Sequence, residues 1–315
     1  MHCLVTGASG HLGSYVVRKL LAHKHTVTAL VRPESDLWRL ADVVHDVEML
    51  RADIANLEPV RAAIMAAAPE VVVHTAWFGV TRTHWNDARQ LRANVVGSLD
   101  LVTITQEAGV RCWIGIGSQA EYGPTSAMIN EDTPTRPVTA YGVAKLSTGL
   151  LTQKMCELAG IRHLWLRLLS IYGPKDDERH LIPTVIRALL ARERPALTAG
   201  EQRWDYLYVE DAADAVYAGI LSQDARGIFN LGSGTAQSIR CIVESIRDMV
   251  DSALPIGFGD VPYPAGQVSH LEVDRSRFSA ATGWVPQTSL KEGLQRTLAW
   301  HQYGRSPMLS QAQKG

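Results

Sequence analysis

The 315-residue sequence contains few cysteines, and their positions argue against the architectures that depend on them. No two of the four cysteines, Cys3, Cys112, Cys156 and Cys241, form a C-x-x-C pair. This spacing predicts neither a disulfide framework nor a metal site. Cys3 and Cys112 lie in apolar, strand-like runs, where buried and reduced thiols are expected. His74 and His84 also lack partners at the spacing of metal ligands, which predicts a hydrogen-bonding role for each.

The sequence also lacks a long apolar run and a strong charge of either sign. No apolar stretch reaches the roughly 18 residues that a membrane span requires. Lys and Arg number 31 and Asp and Glu 32, for a net charge of −1. Such a chain has no global field that would attract nucleic acid or an anionic membrane. The first apolar run follows Met1 too closely to leave room for a signal peptide, so we expect a cytoplasmic protein.

What the sequence does contain is an alternation of short β-branched runs and amphipathic stretches. Strand-like runs fall at 2–5, 26–31, 47–50, 71–75, 112–116 and 163–168, and helical patterns at 12–22, 57–67, 85–108 and 140–159. This alternation predicts an α/β fold, a Rossmann-type doubly wound parallel sheet with helices on both faces. After residue 172 prolines separate shorter elements, with helical patterns near 182–191, 211–221, 238–250 and 290–301.

A glycine cluster follows the first strand-like run and opens the first helical pattern. The string VTGASGHLG places Gly7, Gly10 and Gly13 in a G-x-x-G-x-x-G spacing. Glycine permits a tight turn and a close approach of the backbone to a phosphate, and the following helix points its free N–H groups into the same gap. A glycine-rich turn without a ligand would have the same composition. The context of a βαβ unit favours a dinucleotide pyrophosphate site.

The end of the second strand-like run indicates which dinucleotide is bound. An acidic residue here usually accepts hydrogen bonds from the adenosine ribose, which selects NAD(H). This chain has Arg32 instead, followed by Ser35 and Arg39. A guanidinium can bind a 2′-phosphate through two parallel hydrogen bonds, so NADP(H) is favoured, while NAD(H) and a purely surface role of Arg32 stay open. Asp53 and Ile54 follow the third strand, where the carboxylate can accept from the adenine amino group.

Three residues form a candidate catalytic group. Tyr141 and Lys145 in YGVAK lie four residues apart on a predicted helix, and therefore on one face. A nearby ammonium favours the phenolate, so Lys145 is expected to lower the pKa of Tyr141 from its usual ~10. Ser118 ends the fifth strand-like run and reaches the sheet edge at which ligands of open α/β sheets bind. A proton-exchanging phenol beside a hydroxyl suits carbonyl reduction or alcohol oxidation.

Together these motifs resemble those of the extended short-chain dehydrogenases/reductases, in the NAD(P)-dependent epimerase/dehydratase family. The resemblance covers nearly the whole chain. It is carried by VTGASGHLG, ADI, HTA at 74–76, Asn94, GSQAEYG, YGVAK, SIYGP at 170–174, WDYLYVEDAA at 204–213, NLGSG at 230–234 and GWVP at 283–286. GSQAEYGP and EQRWDYLYVEDAA look most similar to nucleotide-sugar 4-ketoreductases of the CDP-abequose synthase type.

The resemblance implies a division of the chain and a set of contacts. Residues 1–172 would form the dinucleotide-binding Rossmann domain, 173–303 mainly the substrate-binding lobe, with some segments returning to the main domain, and 304–315 a tail. Tyr141 would be the acid/base, Lys145 would bind the nicotinamide ribose, and Ser118 would polarise the substrate carbonyl. A homodimer through the helices at 85–108 and 140–159 is also implied. Cofactor contacts are expected from Gly7, Ser9, Gly10, His11, Leu12, Gly13, Arg32, Asp53, Ile54, Thr75, Ala76, Asn94, Tyr141, Lys145, Leu168, Ser170 and Ile171.

The residues after Ser118 indicate the type of reaction. Sugar 4,6-dehydratases of this family resemble one another in an Asp-Glu pair directly after the catalytic Ser or Thr. Here those positions are Gln119 and Ala120, neither of which exchanges protons usefully, so dehydration is disfavoured. Glu121 comes one position later, and strand alternation places it on the other side. Arg32 then favours a reductase that consumes NADPH over an epimerase that recycles tightly bound NAD.

The predicted reaction is therefore NADPH-dependent reduction of the 4-keto group of a CDP- or dTDP-linked 4-keto-6-deoxy sugar. A nucleotide-sugar 4-epimerase is the alternative, and a non-catalytic NADP-sensing protein is less favoured because Tyr141 and Lys145 both persist. Many relatives have an arginine where this chain has Trp204 and another near Gln267, so a non-sugar ketone also stays open. Substrate contacts are predicted for Trp77, Gln119, Glu121, Arg179, Arg203 and Tyr206. Both Trp77 and Trp85 are in a position to stack on a substrate ring.

Overall fold

The computed structural model describes residues 1–264, 266 and 268–304, so Gln267 and the predicted tail beyond Gly304 lie outside the described residues. The strands are β1 His2–Thr6, β2 Thr26–Val31, β3 Glu48–Arg51, β4 Val71–His74, β5 Cys112–Ser118, β6 Arg162–Leu168, β7 Ser170–Tyr172, β8 Ala196–Leu197, β9 Arg203–Tyr208, β10 Gly227–Leu231, β11 Ala236–Ser238, β12 Gly257–Phe258 and β13 His270–Leu271. The helices are α1 His11–Ala22, α2 Arg61–Ala67, α3 Gly97–Glu107, α4 Ala140–Leu158, α5 Leu181–Leu190, α6 Val209–Leu221, α7 Ile239–Val250, α8 Ser276–Thr282 and α9 Leu290–Tyr303.

Seven parallel strands form the central sheet, in the order β10-β6-β5-β4-β1-β2-β3. β1 pairs with β2 on one side and β4 on the other, so the winding direction reverses there. In open sheets of this kind, ligands bind beyond the carboxyl ends of the strands at that switch point. Leu4, Val5, Val72 and Ile114 are almost completely buried, because helices cover both faces. The predicted α/β, Rossmann-type fold is confirmed.

Apolar side chains from the helices fill both sides of the sheet. On one side Val16, Val17 and Leu20 of α1 join the cluster that contains Val5. On the other side Leu101 of α3 joins the cluster that contains Leu4. Complete burial of one such side chain contributes about 1.5–3 kcal/mol, so the two apolar layers stabilise the sheet from both faces. None of the described helices is both long and apolar enough to cross a bilayer.

The C-terminal part adds a small second sheet that starts directly after β6. Its central strand, β9, pairs in parallel with β7 and β13 and antiparallel with β11. Helices α5, α7 and α9 pack beside it through a separate apolar cluster that includes Val185, Ile242 and Leu294. Because β7 follows β6 after a single residue, this sheet lies next to the carboxyl end of the main sheet and can close one side of a ligand crevice.

Two regions differ from the elements expected of the sequence. β10 is the edge strand of the main sheet, although it falls in the part of the chain assigned mainly to the lobe. The helix expected at 85–108 is divided into a π-helical segment, Gln90–Val96, and α3. The division coincides with Gly97, where an added Cβ would lie 2.3 Å from the carbonyl oxygen of Ile54. The close approach to the β3–α2 connection therefore requires glycine at this point.

Candidate active site

The glycine loop between β1 and α1 forms a cradle open to an anion. Gly7 has a φ of +66°, and its carbonyl accepts the N–H of Gly10 at 2.8 Å. A Cβ on Gly13 would lie 2.2 Å from the same carbonyl oxygen, so the turn tolerates no side chain there. Gly10 precedes α1 and provides no side-chain cap, which leaves the N–H groups of the first turn for another partner. These residues fit a dinucleotide pyrophosphate.

The other predicted residues of the loop and of the HTA string surround this cradle. Thr75 donates its hydroxyl to the carbonyl of Thr6 at 2.7 Å, and a Cβ on Gly7 would lie 2.7 Å from the nitrogen of Ala76. Ser9 and His11 are half-buried at the start of α1. Leu12 packs into the core, so it can offer only its backbone to a ligand. The structure thus brings this part of the predicted cofactor set together.

The adenosine end of the predicted site carries charges of both signs. Nε of Arg32 lies 3.5 Å from Oε1 of Glu34, and the two side chains are 59% and 68% exposed. Asp53 is exposed and uses Oδ1 to accept the N–H of Ala55 at 2.8 Å, while Ile54 is buried. Glu34 was missed by the sequence reasoning, although it stands two residues after Arg32. Its carboxylate offers the ribose the acceptor that NAD(H) binding uses.

Asn94, predicted to touch the cofactor, instead holds the loop that follows β4. Its Oδ1 accepts the N–H of Phe78 at 2.7 Å, and its Nδ2 donates to the carbonyl of Phe78 at 3.0 Å and to Gln90 Oε1 at 2.7 Å. The side chain is 1% exposed, so these internal partners occupy its amide. Gln90 also binds the carbonyls of Gly79 and His84. The prediction for Asn94 is therefore corrected: its side chain positions the loop.

Ser118, Tyr141 and Lys145 come together at the carboxyl edge of β5. Ser118 ends β5, and Tyr141 and Lys145 lie in the first turns of α4. Burial raises the pKa of Tyr141 to about 12, and a hydrogen bond with the Ser118 side chain opposes that shift. The expectation that Lys145 lowers the pKa of Tyr141 was wrong. The phenol is held in its protonated form at neutral pH.

The position of Lys145 explains this difference. Its Nζ donates to the carbonyl of Ile116 at 2.6 Å and lies 3.6 Å from the centre of a Trp77 ring. The centre of the Tyr141 ring is 6.0 Å away. Burial lowers the pKa of Lys145 to about 7, against the attraction of Glu121. The ammonium is thus directed at β5 and the indole, and it is charged for only part of the time at neutral pH.

Two tryptophans enclose the ring of Tyr141. Trp77 meets it edge-on, with centres 6.2 Å apart, and Trp85 lies nearly parallel to it at 6.4 Å. The backbone N–H of Tyr141 donates to the carbonyl of Trp85 at 2.7 Å, and the indole of Trp77 donates to Gln90 at 3.0 Å. The loop after β4 is therefore fastened to the start of α4. Both indoles border the candidate site, as predicted from their positions.

Glu121 does not face the site. Its Oε1 accepts the N–H of Ser118 at 2.9 Å and the indole N–H of Trp165 at 2.9 Å, and its Oε2 lies 2.6 Å from Nε of Arg167. Glu121 is 0% exposed. The prediction that Glu121 contacts the substrate is therefore corrected, whereas the orientation away from the substrate that strand alternation predicted agrees with these contacts. Gln119 and Ala120 are half-buried in the turn that follows Ser118.

The remaining predicted residues lie on the lobe or at its junction with the main sheet. Leu168 is in register with Ser118, and Ser170 with Tyr206, while Ile171 is half-buried on β7. Tyr206 meets the ring of Tyr172 edge-on at 6.0 Å. These residues lie at the carboxyl end of β6 and on the two strands, β7 and β9, that continue into the second sheet.

The two arginines predicted to contact the substrate are exposed and differ in setting. Arg179 pairs with Asp177 at 2.5 Å, and Arg203 donates to the carbonyl of Ala236 at 2.7 Å. A cavity of about 370 Å³ lies between the loop after β4 and the start of α5, and Arg179 lines it with Val80, Thr81, Arg82, Thr83, Trp85 and His180. Arg82 was missed by the sequence reasoning, although it stands in the same loop as Trp77 and Trp85.

His74 and the cysteines have the structural settings expected of them. His74 is 2% exposed and lies 2.8 Å from the hydroxyl of Thr6 and 2.9 Å from that of Ser98. Burial lowers its pKa to about 3, so it is neutral. Cys3 and Cys112 are buried. Among the residues described, no three His, Cys, Asp or Glu side chains are grouped so that they could hold a metal ion.

The glycine cradle at the switch point of a seven-stranded parallel sheet is that of an enzyme with an NAD(P)-type cofactor. Residues 3–232 match the profile of the NAD-dependent epimerase/dehydratase family. The chain belongs to this family, whose members are oxidoreductase-type enzymes of the extended short-chain dehydrogenase/reductase class, as the motifs indicated.

Individual relatives extend over nearly the whole chain. It is 28% identical to a UDP-glucose 4-epimerase of Corynebacterium glutamicum over 313 residues, which cover 91% of each protein. It is 26% identical to a dTDP-glucose 4,6-dehydratase of Shigella flexneri, over 96% of this chain and 92% of that one. The solved structure of MoeE5 in complex with UDP-glucose and NAD is 26% identical, with a TM-score of 0.85 over 97% of this chain and 100% of that one.

Proposed function

We propose that this protein reduces the 4-keto group of a nucleotide-linked 4-keto-6-deoxy sugar, with NADPH as the preferred reductant. The observation that carries the proposal is the protonated phenol of Tyr141, hydrogen-bonded to Ser118 at the carboxyl end of β5. Reduction of a ketone needs an acid that gives its proton to the carbonyl oxygen. A phenol whose pKa is raised to about 12 is in the donor form throughout the neutral range.

The residues of the site divide this work among them. Bound NADPH supplies the hydride that becomes the new C4–H bond. Tyr141 donates its proton to the carbonyl oxygen, which becomes the product hydroxyl, and Ser118 holds that oxygen by a hydrogen bond. Lys145 binds the nicotinamide ribose and is held in place by the carbonyl of Ile116 and the ring of Trp77. Trp77 and Trp85 exclude water from the phenol on two sides.

The substrate class is proposed from the relatives and from the charges at the mouth of the site. The solved structure of MoeE5 contains UDP-glucose, and the relatives named above are a UDP-glucose 4-epimerase and a dTDP-glucose 4,6-dehydratase. Arg82 and Arg179 line the cavity next to Trp85, where they can hold a diphosphate, and Arg203 and Tyr206 stay substrate-binding predictions. Dehydration is disfavoured because Gln119 and Ala120 are not acids and the carboxylate of Glu121 is fully engaged inside the protein.

A 4-epimerase is the second candidate, and two observations favour it. The relatives include UDP-glucose 4-epimerases, and Glu34 places a carboxylate near Arg32 that could accept the ribose hydroxyls of NAD. The two functions differ in what happens to the cofactor. A reductase consumes one NADPH per product, whereas an epimerase returns its NAD⁺ to the starting state each turnover.

The test is a panel of CDP-, dTDP- and UDP-linked 4-keto-6-deoxy sugars, and the parent 4-hydroxy sugars, with purified protein. We expect NADPH absorbance at 340 nm to fall in proportion to product with one of the keto sugars. Interconversion of 4-hydroxy epimers with tightly retained NAD⁺, and no NADPH consumption, would replace the reductase by the epimerase. Turnover of neither, with NADP(H) still bound, would revive a non-catalytic sensor.

We also propose a homodimer built from the helical region at 85–108, which contains the π-helical segment and α3, and from α4. The division into residues 1–172, 173–303 with some segments returning to the main domain, and 304–315 stays a prediction. A row of apolar side chains on these helices faces outward: Leu91, Val143, Leu150, Leu151 and Leu158 are 61%, 49%, 51%, 45% and 78% exposed. The four on α4 recur at helical spacing and form one stripe. A second copy of the same stripe would cover it, as family resemblance implies.

A further inference from the structure

A second arginine lies next to Arg32 at the adenosine end of the candidate site. Arg51 is the last residue of β3, and β3 pairs in parallel with β2 so that Arg51 is in register with Val31. Arg32 directly follows Val31, so the two arginines stand where two neighbouring strands, about 4.8 Å apart, end at the carboxyl edge of the sheet. The glycine cradle lies at the same edge. Arg51 belongs to none of the family motifs discussed above, since the string ADI begins at the next residue.

The side chain of Arg51 reaches the turn that contains Arg32. One of its terminal nitrogens donates to the carbonyl of Pro33 at 2.8 Å. The turn itself is closed by the N–H of Ser35, which donates to the carbonyl of Arg32 at 3.1 Å. Met49, two residues before Arg51 and therefore on the same face of β3, packs against the apolar cluster that contains α1. The guanidinium of Arg51 thus starts from the face of the sheet that α1 covers and ends beside Arg32.

Arg51 has both charge and hydrogen-bond donors to offer a ligand. Its side chain is exposed, and the partner of its hydrogen bond is a neutral carbonyl, which takes one of the five N–H donors of a guanidinium. Among the residues that the structure describes, no carboxylate forms an ion pair with Arg51, whereas Nε of Arg32 lies 3.5 Å from Glu34. The charge of Arg32 is therefore partly balanced within the protein, and that of Arg51 is not.

Arg39, the other arginine that follows β2, is engaged with the lobe. Its Nε donates to the carbonyl of Lys175 at 2.8 Å, and its guanidinium carbon lies 4.5 Å from the centre of a Trp38 ring. Arg51, rather than Arg39, is thus placed to act with Arg32.

A 2′-phosphate on the adenosine ribose presents more charge and more acceptors than one guanidinium neutralises. A phosphate monoester carries about −1.5 to −2 charge at neutral pH and three acceptor oxygens. We propose that Arg51 acts with Arg32 to bind the 2′-phosphate of NADP(H), and that it is a second determinant of cofactor preference. The hydrogen bond to Pro33 holds the guanidinium in place before the ligand arrives, which reduces the entropy lost on binding. The inference rests on the proposed preference for NADPH and is independent of the sugar.

The test is titration calorimetry with NADPH and NADH, which differ only in the 2′-phosphate, at about pH 8, where that phosphate is doubly charged. Arg51→Gln removes the charge, while its amide can still donate to Pro33. We expect this variant to bind NADPH about tenfold more weakly than the parent and NADH within about twofold. Arg51→Lys should weaken NADPH about threefold, because an ammonium keeps the charge but not the forked geometry. Arg111→Gln, an exposed arginine at the amino end of β5, should change neither affinity.

A double-variant cycle separates direct binding of the phosphate from support of the turn. If Arg51 acted only by holding Arg32, Arg51→Gln would have no effect in a protein that already carries Arg32→Ala. We expect the combined variant to bind NADPH about tenfold more weakly than Arg32→Ala alone and to lose the preference for NADPH over NADH. Circular dichroism would verify the fold of each protein.

Three results would overturn the proposal. They are a parental preference for NADPH in Arg51→Gln, an equal loss of NADPH and NADH affinity in that variant, or no further loss when Arg51→Gln is added to Arg32→Ala. In each case, reduction of a keto sugar with NADPH by the parent would leave the proposed function standing. A parent that bound neither dinucleotide would contradict both.

Discussion

Lys145 and Trp77 are in direct contact, with the ammonium nitrogen 3.6 Å from the centre of an indole ring. The indole is itself held by Gln90, whose amide also binds two carbonyls of the loop after β4. A cation over an aromatic face is stabilised by the ring quadrupole, more so when water is excluded. The loop therefore fixes the position of the residue that we propose binds the nicotinamide ribose, and Trp77 covers one side of its buried ammonium.

A pH profile should report this contact. Because the pKa of Lys145 is about 7 and its charged form binds the ribose hydroxyls better, we expect kcat/KM for reduction to fall as pH rises above about 7. Trp77→Ala admits water, and since burial is the main cause of the lowered pKa, the falling limb should move to higher pH. Trp77→Phe, which keeps a ring there, should leave it nearly unchanged. An identical profile in all three proteins would contradict the assignment.

Most of the main sheet could be predicted from the sequence, for a physical reason. The first six strands are separated by helical segments, so each appears in the sequence as a short β-branched run. The six predicted runs match β1 to β6 closely. β10 has no such signal, since GIFNL occupies a sheet edge and lies far along the chain from its partner β6. Its place depends on tertiary packing that a local pattern does not contain.

The candidate site was predictable as a set of residue types but not in its electrostatics. Spacing alone brought Tyr141 and Lys145 to one face of α4, yet the direction of the Lys145 ammonium depends on Trp77 and the carbonyl of Ile116. The inward orientation of Glu121 was predictable from strand alternation. Its partner Arg167 was not, because 46 residues separate the two in the chain.

Tyr141→Phe should remove the acid while preserving the fold. The phenylalanine ring can keep the place between Trp77 and Trp85, so dinucleotide affinity should change little. Loss of a positioned proton donor typically lowers the rate about 10²- to 10⁴-fold. Stopped-flow or steady-state turnover, together with calorimetric binding of NADPH, separates the two effects. A variant that keeps more than half of the parental kcat would show that another group supplies the proton.

Glu121→Gln should destabilise the protein, and it should affect turnover only indirectly, through the lost attraction that raises the pKa of Lys145. The carboxylate and the Arg167 guanidinium are 1% and 3% exposed and 2.6 Å apart, so removing one charge leaves the other buried without a counter-charge. Such a change typically lowers the free energy of unfolding by about 3–5 kcal/mol.

Urea unfolding would measure the loss. The charge-free control is Glu121→Gln combined with Arg167→Met, which keeps an acceptor for the N–H groups of Ser118 and Trp165 and should recover stability. If Glu121→Gln were fully stable and had lost turnover, the residue would have to be returned to the active site.

Arg32→Ala should weaken NADPH more than NADH. A charge-assisted hydrogen bond to a phosphate is worth about 1.5–3 kcal/mol, which corresponds to roughly 10- to 100-fold in the KM for NADPH. Arg111→Ala is the matched control. Arg111 directly precedes β5 and therefore lies at the amino ends of the strands, away from the proposed cofactor site, where it pairs with Glu70. If Arg32→Ala raised the KM values for NADPH and NADH equally, or raised neither of them, the preference for NADPH would have no support. In that case Glu34→Ala should weaken the binding of NADH.

Leu150→Glu together with Leu158→Glu should convert the proposed dimer into monomers. Both side chains lie on the outward stripe of α4 and are 51% and 78% exposed, so charges there are compatible with a folded monomer but not with a desolvated interface. Light scattering after size-exclusion chromatography would give the mass, which we expect to halve relative to the parent. Leu221→Glu, at a site 52% exposed at the end of α6, should leave the dimer intact. Tyr141 and Lys145 lie on the same helix as the stripe, so the monomer should also turn over more slowly if the interface holds α4 in place. A parent protein that is monomeric would refute the proposed assembly.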